Sequence, residues 1–284
     1  MSREPGCEDG RPRQRRGAHE WSPRQSDGEL SQSLERGILI LECFTDERPV
    51  RGIQDIATDL QMSPGTVDRY VGSLVAQGLL DRISHKEYRL GLAGIDLGLA
   101  TVAAMGLREL SELPLQELAR RTHFTSSSTV LDGSEVLVIR CVPGNRGGRP
   151  AFVPKSVVEG SRQPTHCTAA GKVLLAGLSA SQRDQLLELM VFTPRTPRTL
   201  TSLPSFRDEL HQVSEDGFAL EESEFQRSLL AMAAPVWDDS GEVIAAVTLS
   251  ASSATTSIAH LRDELAPQVR VAAGELSTWM CSRG

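Results

Sequence analysis

The chain has 284 residues, 39% hydrophobic and 24% charged, with a formal net charge of −7, the balance of a globular protein able to build one large core or two modest ones. No run approaches the ~18 uninterrupted apolar residues of a membrane span, and residues 1–31 lack the apolar centre of a secretory signal, so a cytoplasmic location is expected. Five singly placed cysteines without a CxxC pair or Cys/His cluster argue against a disulfide framework or a metal site, and the acidic balance excludes general affinity for nucleic acid while leaving room for a local reading head.

Residues 1–30 are rich in Arg, Gly, Pro, Ser and Gln and are expected to be disordered. Arg11, Arg13, Arg15 and Arg16 would form either an arm on DNA or a solvated tail. Helical periodicity starts at Ser33, with Leu34, Ile38, Leu41 and Phe44 predicted as its buried stripe. A second helix places Ile53, Ile56, Ala57 and Leu60 on one face. Ser63 then offers an N-cap and Pro64 a first helical residue for a third helix, with Val67, Val71, Leu74 and Val75 inward and an end near Gly78. Extended runs Leu80–Ile83 and Glu87–Leu90 predict a small hairpin. Three short helices, a tight turn between the second and third, and a hairpin make a winged helix-turn-helix over 31–92.

Leu92 to Arg121 reads as helical, with 93–106 as a linker helix and Pro114 as the expected junction between two helices. Beyond it, Thr125–Leu131 and Glu135–Val142 flank Asp132-Gly133 as a hairpin, and Gly144–Pro150 is read as a loop. Helices are predicted over Thr168–Leu178, Ser181–Met190 and Pro204–Asp216, with Thr193–Thr201 as a loop. A second hairpin joins Leu229–Trp237 to Glu242–Ser250, and one long helix runs from Ile258 to Met280. Strand pairs separated by helices indicate an α+β domain with an antiparallel sheet over 107–284.

No nucleophile elbow, zinc-protease motif, phosphate loop or dinucleotide fingerprint is present, and no catalytic residue or cofactor is assigned. His166-Cys167 alone suggests a thiol enzyme, which would need a third, orienting group. Glu221, Glu222 and Glu224 read as a solvated acidic edge. The chemistry points instead to double-stranded DNA. The third helix would turn Thr66, Arg69 and Tyr70 outward with Ser63 at its cap, and the wing would bring Arg82, Lys86 and Arg89 to phosphates. Asp55, Asp59 and Asp68 offset these cations, so one head alone would bind weakly and the protein should act as a dimer.

Gln32-Ser33-Leu34-Glu35-Arg36-Gly37, Asp55-Ile56-Ala57, Met62-Ser63 through Arg69-Tyr70-Val71 and Tyr88-Arg89-Leu90-Gly91 resemble the IclR family of bacterial regulators. So do Pro164-Thr165-His166-Cys167-Thr168-Ala169-Ala170-Gly171-Lys172 to Ala176, Ala231 to Val236, and Gly241 to Ser250; the resemblance spans Gln32 to Met280. It implies a GAF-like effector domain, a homodimer or homotetramer, and a small acidic or aromatic metabolite as ligand, in the style of the aromatic-acid and β-ketoadipate regulators. Carried over by motif, effector-binding positions are Ala169, Ala170, Glu221, Leu229, Ala231, Thr248 and Ser250. The sequence departs from the family pattern at Pro64 and Asp68 on the third helix and at Ser228, Leu230 and Ala231 near the ligand, which implies an unusual operator and a larger or more apolar effector. The alternative is a GAF-like sensor or protein-interaction module that has lost DNA binding.

Overall fold

The computed structural model describes residues 31–282, apart from Asp46 and Lys155, so the arginine-rich arm lies outside the described residues. The chain divides into two compact units, 1–98 and 99–284.

In the first unit, α1 (Gln32–Glu42), α2 (Ile53–Leu60) and α3 (Pro64–Ala76) surround a core of Ile40, Phe44, Ile56, Ala57, Val67, Val71, Leu80 and Tyr88. Leu34, expected on the buried stripe of α1, is 67% exposed, and Ile40 is the first fully buried residue of that helix. The turn between α2 and α3 closes through Gln61, in the left-handed region at φ 55°, with the Met62 N–H donating to the Ala57 carbonyl at 3.0 Å. Ser63 then accepts the Thr66 N–H at 3.2 Å, and Pro64 gives up no bond at the first helical position.

Strands β1 (Arg51–Gly52), β2 (Leu80–Arg82) and β3 (Glu87–Leu90) form a three-stranded sheet in the order β1-β3-β2. Buried Arg51 ties β1 to both helices around it, donating to the Cys43 carbonyl at 3.0 Å and to Asp59 at 2.8 Å. The wing returns against the end of α3 so tightly that a Cβ on Gly91 would strike the Gly78 carbonyl. Only glycine fits there.

Helix α4 (Ala93–Met105) spans the division between the units, and α5 (Leu107–Thr122) follows. The junction is Gly106, at φ 63°, and not Pro114 as expected. Pro114 lies buried inside α5, where its missing N–H costs one bond, whereas the left-handed backbone at Gly106 changes the chain direction.

The second unit is built on a six-stranded sheet of β4 (Thr125–Asp132), β5 (Glu135–Val142), β8 (Arg162–Pro164), β9 (Ala219–Glu222), β10 (Leu229–Trp237) and β11 (Val243–Ser252). Its order is β8-β5-β4-β11-β10-β9, and every neighbouring pair is antiparallel. The segment read as a loop after β5 contains a small ribbon, β6 (Asn145–Arg146) and β7 (Arg149–Pro150). Along β10 and β11 alternate residues divide between two cores. Leu230, Met232, Ala234, Val247 and Leu249 pack with α5 and with α10 (Ala266–Cys281). Ala231, Ala233 and Ala246 pack with α6 (Ala169–Ala176) and with Val213 of α8 (Leu203–Asp216).

Helix α7 (Ala180–Leu189), opened by a Ser179/Gln182 capping box, adds Leu187 to a satellite core with Leu175, Phe206 and Leu210. The predicted C-terminal helix is interrupted: a short α9 (Ile258–His260) passes through one π turn over Leu261–Leu265 before α10 begins. Pro267 explains the widened turn, since it has no N–H to continue the ordinary ladder.

Candidate functional site

The strand register lays polar side chains in rows across the α6 face of the sheet. Glu221, Ala231, Ser250 and Thr125 align across four strands, and Ala233, Thr248 and Ser127 align in the next row. The Thr125–Thr129 run serves both faces by the two-residue period of a strand. Ser126 donates to the Leu115 carbonyl at 2.8 Å and Ser128 to the Ser111 hydroxyl at 3.1 Å, both on α5, while Ser127 and Thr129 face the other way.

Over these rows lies a narrow cavity whose own free volume is about 20 Å³, the surrounding 320 Å³ of empty space including its open mouth. Every position assigned by motif lines it: Ala169, Ala170, Glu221, Leu229, Ala231, Thr248 and Ser250. Sequence reasoning missed Ser127, Thr129, Val157, Gln163 and Thr168. The hydroxyl alternation in β4 was a usable signal for the first two. Val157 and Gln163 lie in or beside a stretch with no period to read.

Among the described residues the wall has no Lys, Arg or His. Its donors are neutral. Thr168 caps α6 by accepting the Gly171 N–H at 3.2 Å, and the Lys172 N–H bonds the Thr168 carbonyl, which leaves the Ala169 and Ala170 amides of the first turn beside the cavity. Gly171 makes this approach feasible, because a Cβ there would run into the Thr165 backbone. Thr248 is 7% exposed, and its hydroxyl is buried without a hydrogen-bond partner. Such an orphan in a folded protein is a polar atom in want of a partner.

The acidic cluster is not the solvated edge expected from sequence. Glu221 is 2% exposed and Glu224 is buried; Glu222 alone remains open to solvent, paired with Arg198 at 2.5 Å. The physical reason is Lys172, itself 1% exposed, whose ammonium donates to Glu224 at 2.6 Å, Glu209 at 2.8 Å and the Leu220 carbonyl at 3.0 Å. Burial works against the charge on Lys172, yet Glu224 and Glu209 outweigh it and hold its pKa above the ordinary lysine value. Glu221 receives no such partner. It accepts only the Phe225 N–H, at 3.2 Å, and burial pushes its carboxyl up to about 8. At neutral pH it is a carboxylic acid and a hydrogen-bond donor.

A strap over 151–161 closes one side of the cavity through Val157. Gln163 on β8 donates to the Ser156 carbonyl at 2.7 Å, and Thr125 to the Phe152 carbonyl at 2.9 Å. Glu159 joins the same strap to Arg108, at 3.1 Å, in the first turn of α5 and to Arg140 on β5, which also grips Glu112.

The thiol-enzyme reading fails on geometry. Cys167 is fully buried, off the cavity wall, with its thiol pushed up to about 12 by burial, so no thiolate forms at neutral pH. His166 is buried, donates through Nε2 to the Thr193 carbonyl at 3.0 Å and stacks edge-on with Phe192. Among the described residues no group of His, Cys, Asp and Glu could hold a metal ion, and no helix is long and apolar enough to cross a membrane.

In the first unit, the exposed face of α3 carries Gly65, Asp68, Arg69, Gly72 and Ser73. Arg69 projects outward as expected. Tyr70 does not: it is partly buried against the core and donates to Ser33 on α1 at 3.4 Å, with the Arg69 guanidinium over its ring. One residue is about 100° of helix, enough to turn Tyr70 from the open face to the α1 side. Thr66 is half-buried and bonded to Ser63 at 2.8 Å, so both hydroxyls sit at the cap. On the wing, Arg82 lies over Tyr88 and donates to its hydroxyl at 3.0 Å, Arg89 is paired with Asp81 at 3.2 Å, and Lys86 lines a groove with Pro64, Asp68 and His85.

A winged helix-turn-helix followed along the chain by a domain with a polar cavity defines a DNA-binding regulator with its own ligand-binding domain. Models of the IclR helix-turn-helix domain and of the C-terminal domain of bacterial IclR transcriptional regulators match residues 33–84 and 99–278. The chain therefore belongs to the IclR family of bacterial transcriptional regulators.

It is 33% identical over 240 residues to the HTH-type transcriptional regulator XynR of Escherichia coli K12, covering 83% of this chain and 93% of XynR. A transcriptional regulator from Rhodococcus sp. RHA1 superposes with a TM-score of 0.75 at 28% identity, covering 90% of this chain and all of that one. The inducer-binding domain of a double mutant of the Acinetobacter transcription factor PobR, in complex with 3-hydroxybenzoic acid, gives a TM-score of 0.55 at 28% identity and covers 60% of this chain and 96% of its own.

Proposed function

We propose that the protein binds a pseudo-palindromic operator in the cytoplasm through the winged heads of a homodimer or homotetramer, and that a small organic or aromatic acid in the cavity changes that binding. The head is 31–92, the linker helix 93–106 and the effector domain 107–284. The linker carries the change between them, which requires that the effector bind one arrangement of the heads better than the other. Ser63, Thr66, Arg69, Arg82, Lys86 and Arg89 meet the DNA, and Tyr70 steadies Arg69. Ala169, Ala170, Glu221, Leu229, Ala231, Thr248 and Ser250 hold the effector, with Ser127, Thr129 and Gln163 completing the wall.

The observation that carries the effector assignment is the unpartnered Thr248 hydroxyl beside the α6 amides of Ala169 and Ala170, in a wall that holds no cation among the described residues. That set accepts a carboxylate by neutral donors alone, and the 3-hydroxybenzoic acid in the related PobR domain has that group. In a mobility-shift assay, Arg69→Ala weakens operator binding by about 1–3 kcal/mol. Ser250→Leu leaves DNA affinity intact and removes the ligand response. An Arg69→Ala protein that binds as wild type, with its fold intact, overturns the reading of the head, and a Ser250→Leu protein that responds normally overturns that of the cavity.

A second reading, an interaction module without DNA binding, draws on the number of head cations already engaged: Arg51 with Asp59, Arg82 with Tyr88 and Arg89 with Asp81. Retardation of neither promoter nor arbitrary fragments favours it.

A further inference from the structure

Of the described carboxylates on α2, α3 and the wing, all but one have a structural duty. Asp55 accepts the Gly52 N–H at the start of α2, Asp59 holds Arg51, Asp81 holds Arg89, and Glu87 accepts the Ser84 hydroxyl at 3.0 Å. Asp68 makes no hydrogen bond or ion pair among the described residues. It stands exposed on α3 next to Arg69, in the groove that Pro64, Gly65, His85 and Lys86 also line.

Helix electrostatics do not account for it. The favourable field of a helix N-terminus fades within the first turn, and Asp68 is the fifth residue of a helix that begins at Pro64. Burial does not account for it either. The flanking Gly65 and Gly72 have nothing within 4 Å of where a Cβ would stand, so this stretch of backbone is open to close approach by a partner.

A free carboxylate on a face that meets duplex DNA is repelled by phosphates. The groups in the major groove that repay it are exocyclic amines, on cytosine N4 or adenine N6. Adenine presents its N7 acceptor beside that amine, and a carboxylate, having no proton to give, is repelled by N7. Cytosine N4 carries no such neighbour on its own base. Arg69, next in sequence, supplies the matching donors for guanine O6 and N7.

We propose that Asp68 is a specificity-determining residue that selects cytosine at one position of each operator half-site by accepting a hydrogen bond from its N4 amine. The inference rests on the reading of the head as a sequence-specific DNA binder.

The test is selection from a random duplex library with the full-length protein, comparing wild type, Asp68→Ala and Asp68→Asn at one fixed salt concentration. Wild type yields a motif with a required cytosine. Asp68→Ala keeps the rest of the motif and loses the cytosine preference by about tenfold, the lower part of the range for a base contact. Asp68→Asn moves the preference at that position toward adenine, because an amide both donates to N7 and accepts from N6. An identical motif from wild type and Asp68→Ala, or a wild-type adenine there, overturns the proposal. A wild-type protein that selects no motif overturns the sequence-specific head itself, a distinct outcome. Because Asp68 is exposed and unpartnered, both variants keep the fold, which circular dichroism checks.

Discussion

Glu221 and Lys172 show how neighbouring charges in one core are treated differently. Lys172 is paid in full by Glu224, Glu209 and a carbonyl, so it stays charged far above neutral pH. Glu221 faces burial first, then the repulsion of Glu224, with the Phe225 N–H and Lys172 only partly offsetting them, and its carboxyl rises to about 8 from the ordinary 4.5. A carboxyl raised on folding binds its proton more tightly in the folded chain. Its contribution is whole below the unfolded value and is lost as pH climbs through the folded one. Wild type therefore loses stability between about pH 5 and about pH 8 at up to about 1.4 kcal/mol per pH unit from this group. Glu221→Gln, which never ionises, lacks that loss, so denaturant midpoints across the window shift in the variant's favour as pH rises. Parallel curves for the two proteins would mean that Glu221 ionises as an ordinary glutamate.

At the scale of elements, the strap over 151–161 joins cavity to helix. Val157 touches the cavity, and two residues on Glu159 reaches Arg140 and Arg108, the latter two residues beyond the Gly106 turn. Glu159→Gln leaves Arg108 and Arg140 without this partner. These groups are only partly buried, so the loss is modest, about 0.5–1 kcal/mol, or two- to fivefold in local opening. Hydrogen exchange reads it directly: amides of the strap and of the first turn of α5 exchange faster, while β10 and β11 do not change. Unchanged strap exchange would make Glu159 a surface decoration.

The strap was also where the sequence was least informative, since it has neither a strand nor a helix period and its order comes from side chains distant in the chain. The hairpin at Asp132-Gly133, the Ser63-Pro64 start of α3 and the second hairpin of β10 with β11 were legible because turn chemistry and capping are local. Gly106, the π turn before Pro267 and the burial of Glu221 were not, because a left-handed glycine, a widened turn and a desolvated acid depend on what packs around them. The cavity wall was found by family resemblance, not by periodicity, which is why its strap and β8 sides were missed.

At the scale of the whole molecule, charge sets the requirement for partners. A chain of net charge −7 whose head cations are largely engaged has little long-range pull on DNA. In the proposed dimer, useful affinity comes from linking two heads, which raises apparent affinity about 10²–10⁴-fold without any new contact. Helix α4 has the composition for such a seam: Asp96 is its one charged residue, and Leu92 just before it and Ile95 within it are 72% and 56% exposed. Apolar side chains held open on a helix of that composition suit the proposed association, and a second copy of the chain is the partner that would also double the head. Ile95→Glu places a charge in that surface. It therefore sediments as a smaller species than wild type, and its operator half-saturation rises by about a hundredfold or more, toward the affinity of one head. Wild-type size and wild-type DNA affinity in this variant would place the seam elsewhere, and a wild type that sediments as a single chain while binding its operator tightly would remove the need for one.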